Sequence, residues 1–401
     1  MRSLLLLVVV AAACAVPAAG PSAQMLPDGA PVYAVTGGMG DAQLSERNPR
    51  TLGQRGPAIP LGKWEFVSGL SPDGSLVAAT AMNASPRSIR FLDVARKRWR
   101  GGAVPIPTLG ASAVRWTDDR TVLVLGERPD GLRAVVVDAA RRRIVRTIRI
   151  PGHLEAQYAE PTQAGMALLL RPLAFRQIGP VLVGVIRTSG AVKVVEISRI
   201  LSGYVERSRR PALVADPSSL HVYVFGGLDE PVADVDLRTM AVRYHTLRGG
   251  PQPLTDTLGV ERFGTWLAPG RIAVGGWDDS KTDTLRLGVS LVDTKTWRWK
   301  QVDPDADFFA KSGDLLLALR MDGSLGGYGL DGRRRFSVAE QVFSLGALAS
   351  NGRYVYAYNI WPAPKGSALV IDAKTGGARS WAQPPILGAV LSPGLVVVPG
   401  G

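Results

Sequence analysis

The chain has 401 residues, 46% of them hydrophobic and 20% charged, with 46 glycines and 29 prolines, the balance of a globular protein rich in turns. Its single cysteine excludes an intramolecular disulfide and a thiolate metal site, so the fold must be held by its own core. A formal charge of +13 suits association with anionic surfaces, but no DNA- or RNA-reading motif accompanies it, and no nucleic-acid partner is expected.

Residues 1–23 read as a signal peptide. Met1-Arg2-Ser3 is a basic start, Leu4 to Val16 a short apolar core, and Ala18 to Ala23 a small-residue exit. A membrane anchor would need about 20 apolar residues, so cleavage after Ala18 or Ala23 is expected and no transmembrane span in the mature chain. Cys14 lies inside this leader. Lipidation there is the alternative, disfavoured because Ala11-Ala12-Ala13 lacks the larger aliphatic residue usual three positions before such a cysteine. The expected location is secreted or extracytoplasmic, at the cell envelope.

The remainder, 24–401, reads as one domain, because no long linker or low-complexity block interrupts it. The first piece, Val32-Tyr33-Ala34-Val35 to Thr51, is an apolar strand leading to the turn Asn48-Pro49-Arg50-Thr51. A fuller unit follows. Ser71-Pro72-Asp73-Gly74 opens the apolar strand Leu76-Val77-Ala78-Ala79, and Phe91-Leu92-Asp93 then ends a strand before the basic turn Arg96-Lys97-Arg98. The same pair of signals recurs as Thr117-Asp118-Asp119-Arg120 before Val122 to Leu125, with Val136-Val137-Asp138 before Arg141-Arg142-Arg143. It recurs again as Asp216-Pro217-Ser218-Ser219 before Val222-Tyr223-Val224, with Asp236 before Arg238-Thr239. Later acidic markers are Asp293 before Lys295-Thr296, Asp331 before Arg333, and Asp372 before Lys374-Thr375, the last preceded by Ser350-Asn351-Gly352-Arg353 and Tyr354-Val355-Tyr356. Val195-Glu196 reads as a degenerate marker.

Each signal is a tight turn between two strands. One unit therefore holds strands A and B around the first turn, a longer B–C loop, and strands C and D around the basic turn. A four-stranded unit repeating at this period is a propeller blade. The expected fold is all-β, a β-propeller of about eight four-stranded blades, or seven if 155–205 or 307–342 is parsed differently. Val32 to Thr51 supplies a C–D pair and Leu387 to Val398 an A–B pair, so the ring is expected to close by pairing of N- and C-terminal strands. No extended window shows helical periodicity.

Ser71-Pro72-Asp73-Gly74-Ser75-Leu76-Val77-Ala78, Asp216-Pro217 to Val224 and Asn351-Gly352-Arg353-Tyr354-Val355-Tyr356 resemble the WD40-like and YVTN-type repeats of extracytoplasmic propellers. Asp372-Ala373-Lys374-Thr375-Gly376, with Trp381 nine residues beyond the Asp, resembles a quinoprotein-type repeat, whose blades lock through a tryptophan on the last strand. Trp99 and Trp299, six residues beyond their Asp, resemble shortened versions. The likeness implies a fold rather than an activity. The vicinal cysteines and the quinone and calcium ligands of quinoprotein dehydrogenases have no counterpart here, so no cofactor is expected.

The B–C loops carry the polar groups that topology could gather around the axis on one face: Glu127 and Asp130; Asp229, Glu230 and Asp234; Trp277, Asp278, Asp279 and Asp283; Asn359 and Trp361. Such a set suits a polar ligand or a hard cation, although no calcium-loop motif is present and no metal ligands are assigned. His153, His221 and His245 are the only histidines and are not expected to converge; with no nucleophile elbow, no catalytic residue is assigned. The basic turns Arg96, Lys97, Arg98, Arg100, Arg141 to Arg143 and Arg333 to Arg335 fall on the opposite face, suited to an anionic envelope surface. The expected function is a non-catalytic module binding a protein, a glycan or a small polar ligand. The alternative is a propeller enzyme, a lyase, lactonase or quinoprotein-like oxidoreductase working through the B–C loop carboxylates.

Overall fold

The computed structural model describes residues 32–36, 42–62, 65–81, 87–108, 113–172, 178–204, 208–320, 322–338, 346–350, 353–359, 367–382 and 386–391. The leader with Cys14, and Trp361, lie outside them.

The described residues form antiparallel meanders in chain order. The first three strands are β1 (Val32–Thr36), β2 (Gln43–Arg47) and β3 (Gln54–Pro60). Next come β4 (Glu65–Leu70), β5 (Leu76–Ala81), β6 (Ser88–Asp93) and β7 (Arg98–Trp99), with β8 (Val104–Pro105) returning to pair with β6. A discrete sheet follows from β9 (Ala113–Trp116), β10 (Thr121–Arg128), β11 (Gly131–Asp138) and β12 (Arg143–Arg149). The meander of β13 (Leu154–Thr162), β14 (Gly165–Pro172), β15 (Ile178–Ile186) and the 13-residue β16 (Val192–Tyr204) leads into the short β17 (Ser208–Arg210). Another discrete sheet is β18 (Ala212–Ala215), β19 (His221–Phe225), β20 (Val232–Asp236) and β21 (Ala241–His245). Then come β22 (Gly259–Ala268), β23 (Arg271–Asp279), β24 (Thr284–Asp293) and β25 (Arg298–Asp303), followed by β26 (Ala306–Ser312), β27 (Leu315–Arg320), β28 (Leu325–Gly329) and β29 (Arg334–Val338). The last described strands are β30 (Gly346–Ser350), β31 (Tyr354–Asn359), β32 (Ser367–Asp372), β33 (Ala378–Ala382) and β34 (Ile386–Leu391).

The first strands of successive meanders touch in turn, β4 to β9, β13, β18, β22, β26, β30 and β34, and β34 returns to β4. That cycle closes a ring around a central axis, and the apolar faces of neighbouring sheets pack between its spokes. One cluster joins Leu123 and Leu125 of β10 to Leu168 and Leu170 of β14, and another joins Leu169 and Val183 to Val222 and Val224 of β19.

The blade count departs from expectation. Among the described residues five discrete four-stranded blades are present, not eight or seven. The remaining described strands form a five-stranded sheet, through β8, and a nine-stranded sheet, in which β17 pairs antiparallel with β16 and parallel with β22. The cause is the length of β16. Glu196 lies in the middle of this strand rather than at a turn, and the turn that precedes it is Arg187-Thr188-Ser189-Gly190, with Gly190 at φ +86°. Strand β16 therefore runs on past its own meander and reaches β17. The termini also divide their shared sheet differently: its order is β3-β2-β1-β34, three strands from the N-terminus and one from the C-terminus.

The acidic markers are turn caps. Asp293 accepts hydrogen bonds from the backbone N–H groups of Lys295 (2.9 Å) and Thr296 (2.8 Å), Asp236 from that of Arg238 (2.8 Å), and Asn48 from that of Arg50 (2.9 Å). The fourth residue after six of the markers takes the left-handed conformation: Leu52, Lys97, Arg142, Met240, Trp297 and Gly376; after Asp331 the left-handed residue is instead the next one, Gly332. A carboxylate or amide at the strand end thus satisfies the orphan donors of a four-residue hairpin loop, which explains why the marker recurs.

Candidate functional site: two faces of strands β22 to β24

Strand alternation decides what the candidate residues do. In β22 and β23 successive side chains point to opposite sides of the sheet, so residues adjacent in sequence serve different faces. Trp277, Asp278 and Asp279 were expected to share a loop, but β23 extends to Asp279 and splits them.

The even face carries a buried charge cluster. Arg262 and Asp278, with side chains 1% and 0% exposed, pair at 2.5 Å. Arg209 of β17 pairs at 2.8 Å with Glu230, which also accepts the N–H groups of Gly227 (2.6 Å) and Leu201 (3.0 Å). The backbone N–H of Leu228 donates to Asp278 at 3.0 Å, so the loop from β19 to β20 is bonded to the end of β23. Burial pulls the Arg262 guanidinium below the usual arginine range, and Asp278 opposes this. Burial likewise pushes Glu230 up against the pull of Arg209. These four residues lock one meander to the next. Glu230 and Asp278, expected as ligand groups, are already occupied.

The odd face carries a row open to solvent on one side. Arg210 of β17 is the register partner of Glu261, with the charges 3.8 Å apart; Glu261 lies directly across from Trp277, and Trp277 across from Arg286. Directly opposed residues on neighbouring strands hold their side chains about 5 Å apart on one face. Phe263, two residues along β22 from Glu261, packs against Trp277 (centroids 5.7 Å) and Phe308 of β26 (5.9 Å). Arg286 reaches Asp307 of β26 at 2.8 Å, so this row packs toward the neighbouring sheet. The hydroxyl of Tyr158 donates to the carbonyl of Arg262 at 3.3 Å. Burial pushes the Glu261 carboxyl up to about 7, only partly offset by Arg210 and Arg262. Gly276, at φ +126°, makes the register possible: a Cβ there would sit 1.9 Å from the carbonyl oxygen of Glu261.

The other expected site residues lie apart. Glu127, near the end of β10, is pushed up by burial and by Glu155, against Arg171 and Arg87. Asp130 is bound to Arg133, Asp229 is exposed, and Asp279 accepts the hydroxyl proton of Thr284 at 2.6 Å. Asn359 ends β31 opposite Gly346. Two of the histidines do converge, contrary to expectation: Asp234 lies 2.6 Å from Nδ1 of His221 and 3.8 Å from Nε2 of His245, whose ring stacks on Trp297 at 4.0 Å. They meet because the two residues stand on strands flanking β20, on one face. Among the described residues no group of three or more His, Cys, Asp or Glu is placed to hold a metal ion.

Glu261, Arg262, Arg209, Arg210, Phe263 and Arg286 escaped the sequence reading. The available signal was Glu261-Arg262, a charged pair between Val260 and the apolar run Trp266-Leu267 on a strand that should otherwise be buried.

With this geometry in view, solved structures supply the comparison. The chain is similar to dihydro-heme d1 dehydrogenase NirN in complex with DHE, at 13% identity over 92% of this chain and 76% of that one, with a TM-score of 0.59. It is also similar to apo AztD from Citrobacter koseri (11% identity, 93% and 98% covered, TM-score 0.53) and to Saccharomyces cerevisiae Sqt1 (12%, 82% and 87%, 0.51). The chain is a β-propeller. At these identities the likeness is one of fold alone. No protein-family model matches the propeller's sequence, and no curated protein matches it in sequence. Among its described residues no helix is long and apolar enough to cross a membrane.

Proposed function

We propose that this propeller is a non-catalytic binding module that holds a glycan on the half-exposed row beside Trp277. The observation that carries this reading is the row Arg210, Glu261, Trp277 and Arg286 across four neighbouring strands. A sugar offers an apolar C–H face and a rim of hydroxyls. Trp277 offers the matching aromatic plane, Glu261 an acceptor and Arg286 a donor fork. The repeats are read as WD40-like and YVTN-type with quinoprotein-like features, and the leader Leu4 to Val16 supports a role outside the cytoplasm, secreted or at the envelope.

The test is isothermal titration against a panel of oligosaccharides at pH 7, followed by Trp277→Ala. Loss of the stacking partner should weaken binding about tenfold or more, equivalent to ~1.4 kcal/mol. Absence of binding across the panel would sink the reading. A second reading, the propeller enzyme, is favoured by one arrangement: Glu261, which burial pushes up to about 7, lies close enough to Tyr158 to act on its hydroxyl, and such a pair suits general acid–base work. Conversion of the bound sugar during the titration, abolished in Glu261→Gln, would replace the binding module with that enzyme.

A further inference from the structure

We propose that the outer edge of the β9–β12 sheet is a second interaction surface, a docking strip for an acidic polysaccharide, independent of the Trp277 row. Residues 139–152 contain five arginines and no acidic residue. Strand β12 is the last of its sheet, so one edge of its backbone is unpaired in any sheet, and Arg141, Arg142, Arg143, Arg146 and Arg149 are all exposed. Of these only Arg141 meets a carboxylate among the described residues, Asp138 at 3.8 Å; Arg149 reaches just the carbonyl of Asp130. At the turn after β6, by contrast, Asp93 holds both Arg96 and Arg100 at 2.9 Å.

The strip is continuous because its side chains rest on glycines of both neighbouring sheets. A Cβ on Gly101 would collide with Nη1 of Arg142, and one on Gly190 with Nη1 of Arg146. Guanidinium groups therefore extend along the height of β12 and over both adjoining turns. Seven strand residues rise about 23 Å along a single edge strand. That shape fits a linear polyanion, whose carboxylates guanidinium forks bind bidentately, better than a flat membrane. A single-stranded nucleic acid would call for aromatic stacking platforms, and residues 139–152 hold none.

The test is binding to polygalacturonate at low and at moderate salt, with neutral dextran, a single-stranded oligonucleotide and anionic vesicles alongside. The triple variant Arg142→Ser, Arg143→Ser, Arg146→Ser is compared with Arg333→Ser, Arg334→Ser, Arg335→Ser, which removes equal charge elsewhere. Melting curves of both confirm folding. The strip predicts salt-sensitive binding to polygalacturonate that falls about tenfold or more in the first triple and changes less than about threefold in the second. Equal loss in both triples means that only net charge matters, and overturns the proposal. So does an absence of binding at low salt, or tighter binding to the oligonucleotide or the vesicles than to polygalacturonate.

Discussion

Asp278→Ala isolates the buried lock from the open face of the same strands. Arg262 and Asp278 are essentially inaccessible, and the carboxylate takes both the guanidinium and the N–H of Leu228. Removing one member of a buried pair leaves the other uncompensated, at a cost of about 3–5 kcal/mol. The like charge of Arg209 stands close enough to act on Arg262, and without Asp278 the acidic groups that still oppose it are Glu230 and Glu261. Unfolding entropy near 2.1 cal/mol/K per residue gives ~0.8 kcal/mol/K for a chain of this length, so a loss of ~4 kcal/mol lowers Tm by about 5 °C. Differential scanning calorimetry reads this directly. The double variant Arg262→Met, Asp278→Leu should recover at least half of the loss, because an apolar pair leaves no buried charge stranded. A melting temperature for Asp278→Ala within 1 °C of the parent, or a double variant less stable than the single one, would refute the assignment of this pair as a buried lock.

Glu261→Gln tests the raised carboxyl on the opposite face. Folding lifts its pKa from the usual carboxylate range to about 7, so between those values the folded state keeps a proton that the unfolded state has released. Stability therefore falls as pH rises through that window, by at most about 3 kcal/mol, and the substitution should raise Tm at pH 8 while leaving it nearly unchanged at pH 4. Asp293→Ala should cost about 1 kcal/mol by orphaning the N–H groups of Lys295 and Thr296, whereas Asp293→Asn, which keeps the acceptor, should lose much less on urea denaturation. Tyr356→Phe removes a buried 2.8 Å hydrogen bond to the carbonyl of Pro49, joining β31 to the turn after β2; chemical denaturation should show a loss of about 1–2 kcal/mol.

The turns were the legible part of this fold. A carboxylate ending an apolar strand, with a basic residue two or three positions on, is local chemistry, and the backbone bonds at Asp93, Asp138, Asp236, Asp293, Asp331 and Asp372 are made within a few residues of each marker. What depends on contacts between distant segments was not legible. Arg209-Arg210 precedes Pro211 and carries no strand signal of its own, yet it forms β17 because β16 and β22 offer free edges on either side. Asp278 looked like a loop carboxylate because Trp277-Asp278-Asp279-Ser280 is polar. Only the run of pairs from Gly259↔Asp279 to Trp266↔Ile272 shows that it belongs to a strand and which way it faces. The convergence of His221 and His245 on Asp234 depends likewise on cross-strand register.

Titrating the tightest-binding oligosaccharide of the panel into the parent, Trp277→Ala and Asp278→Ala, the last held well below its melting temperature, tests the division of labour between the two faces most directly. Saturable binding that is lost in Trp277→Ala and kept in Asp278→Ala is the predicted result. Binding that survives in Trp277→Ala, or that disappears in a folded Asp278→Ala, would contradict it.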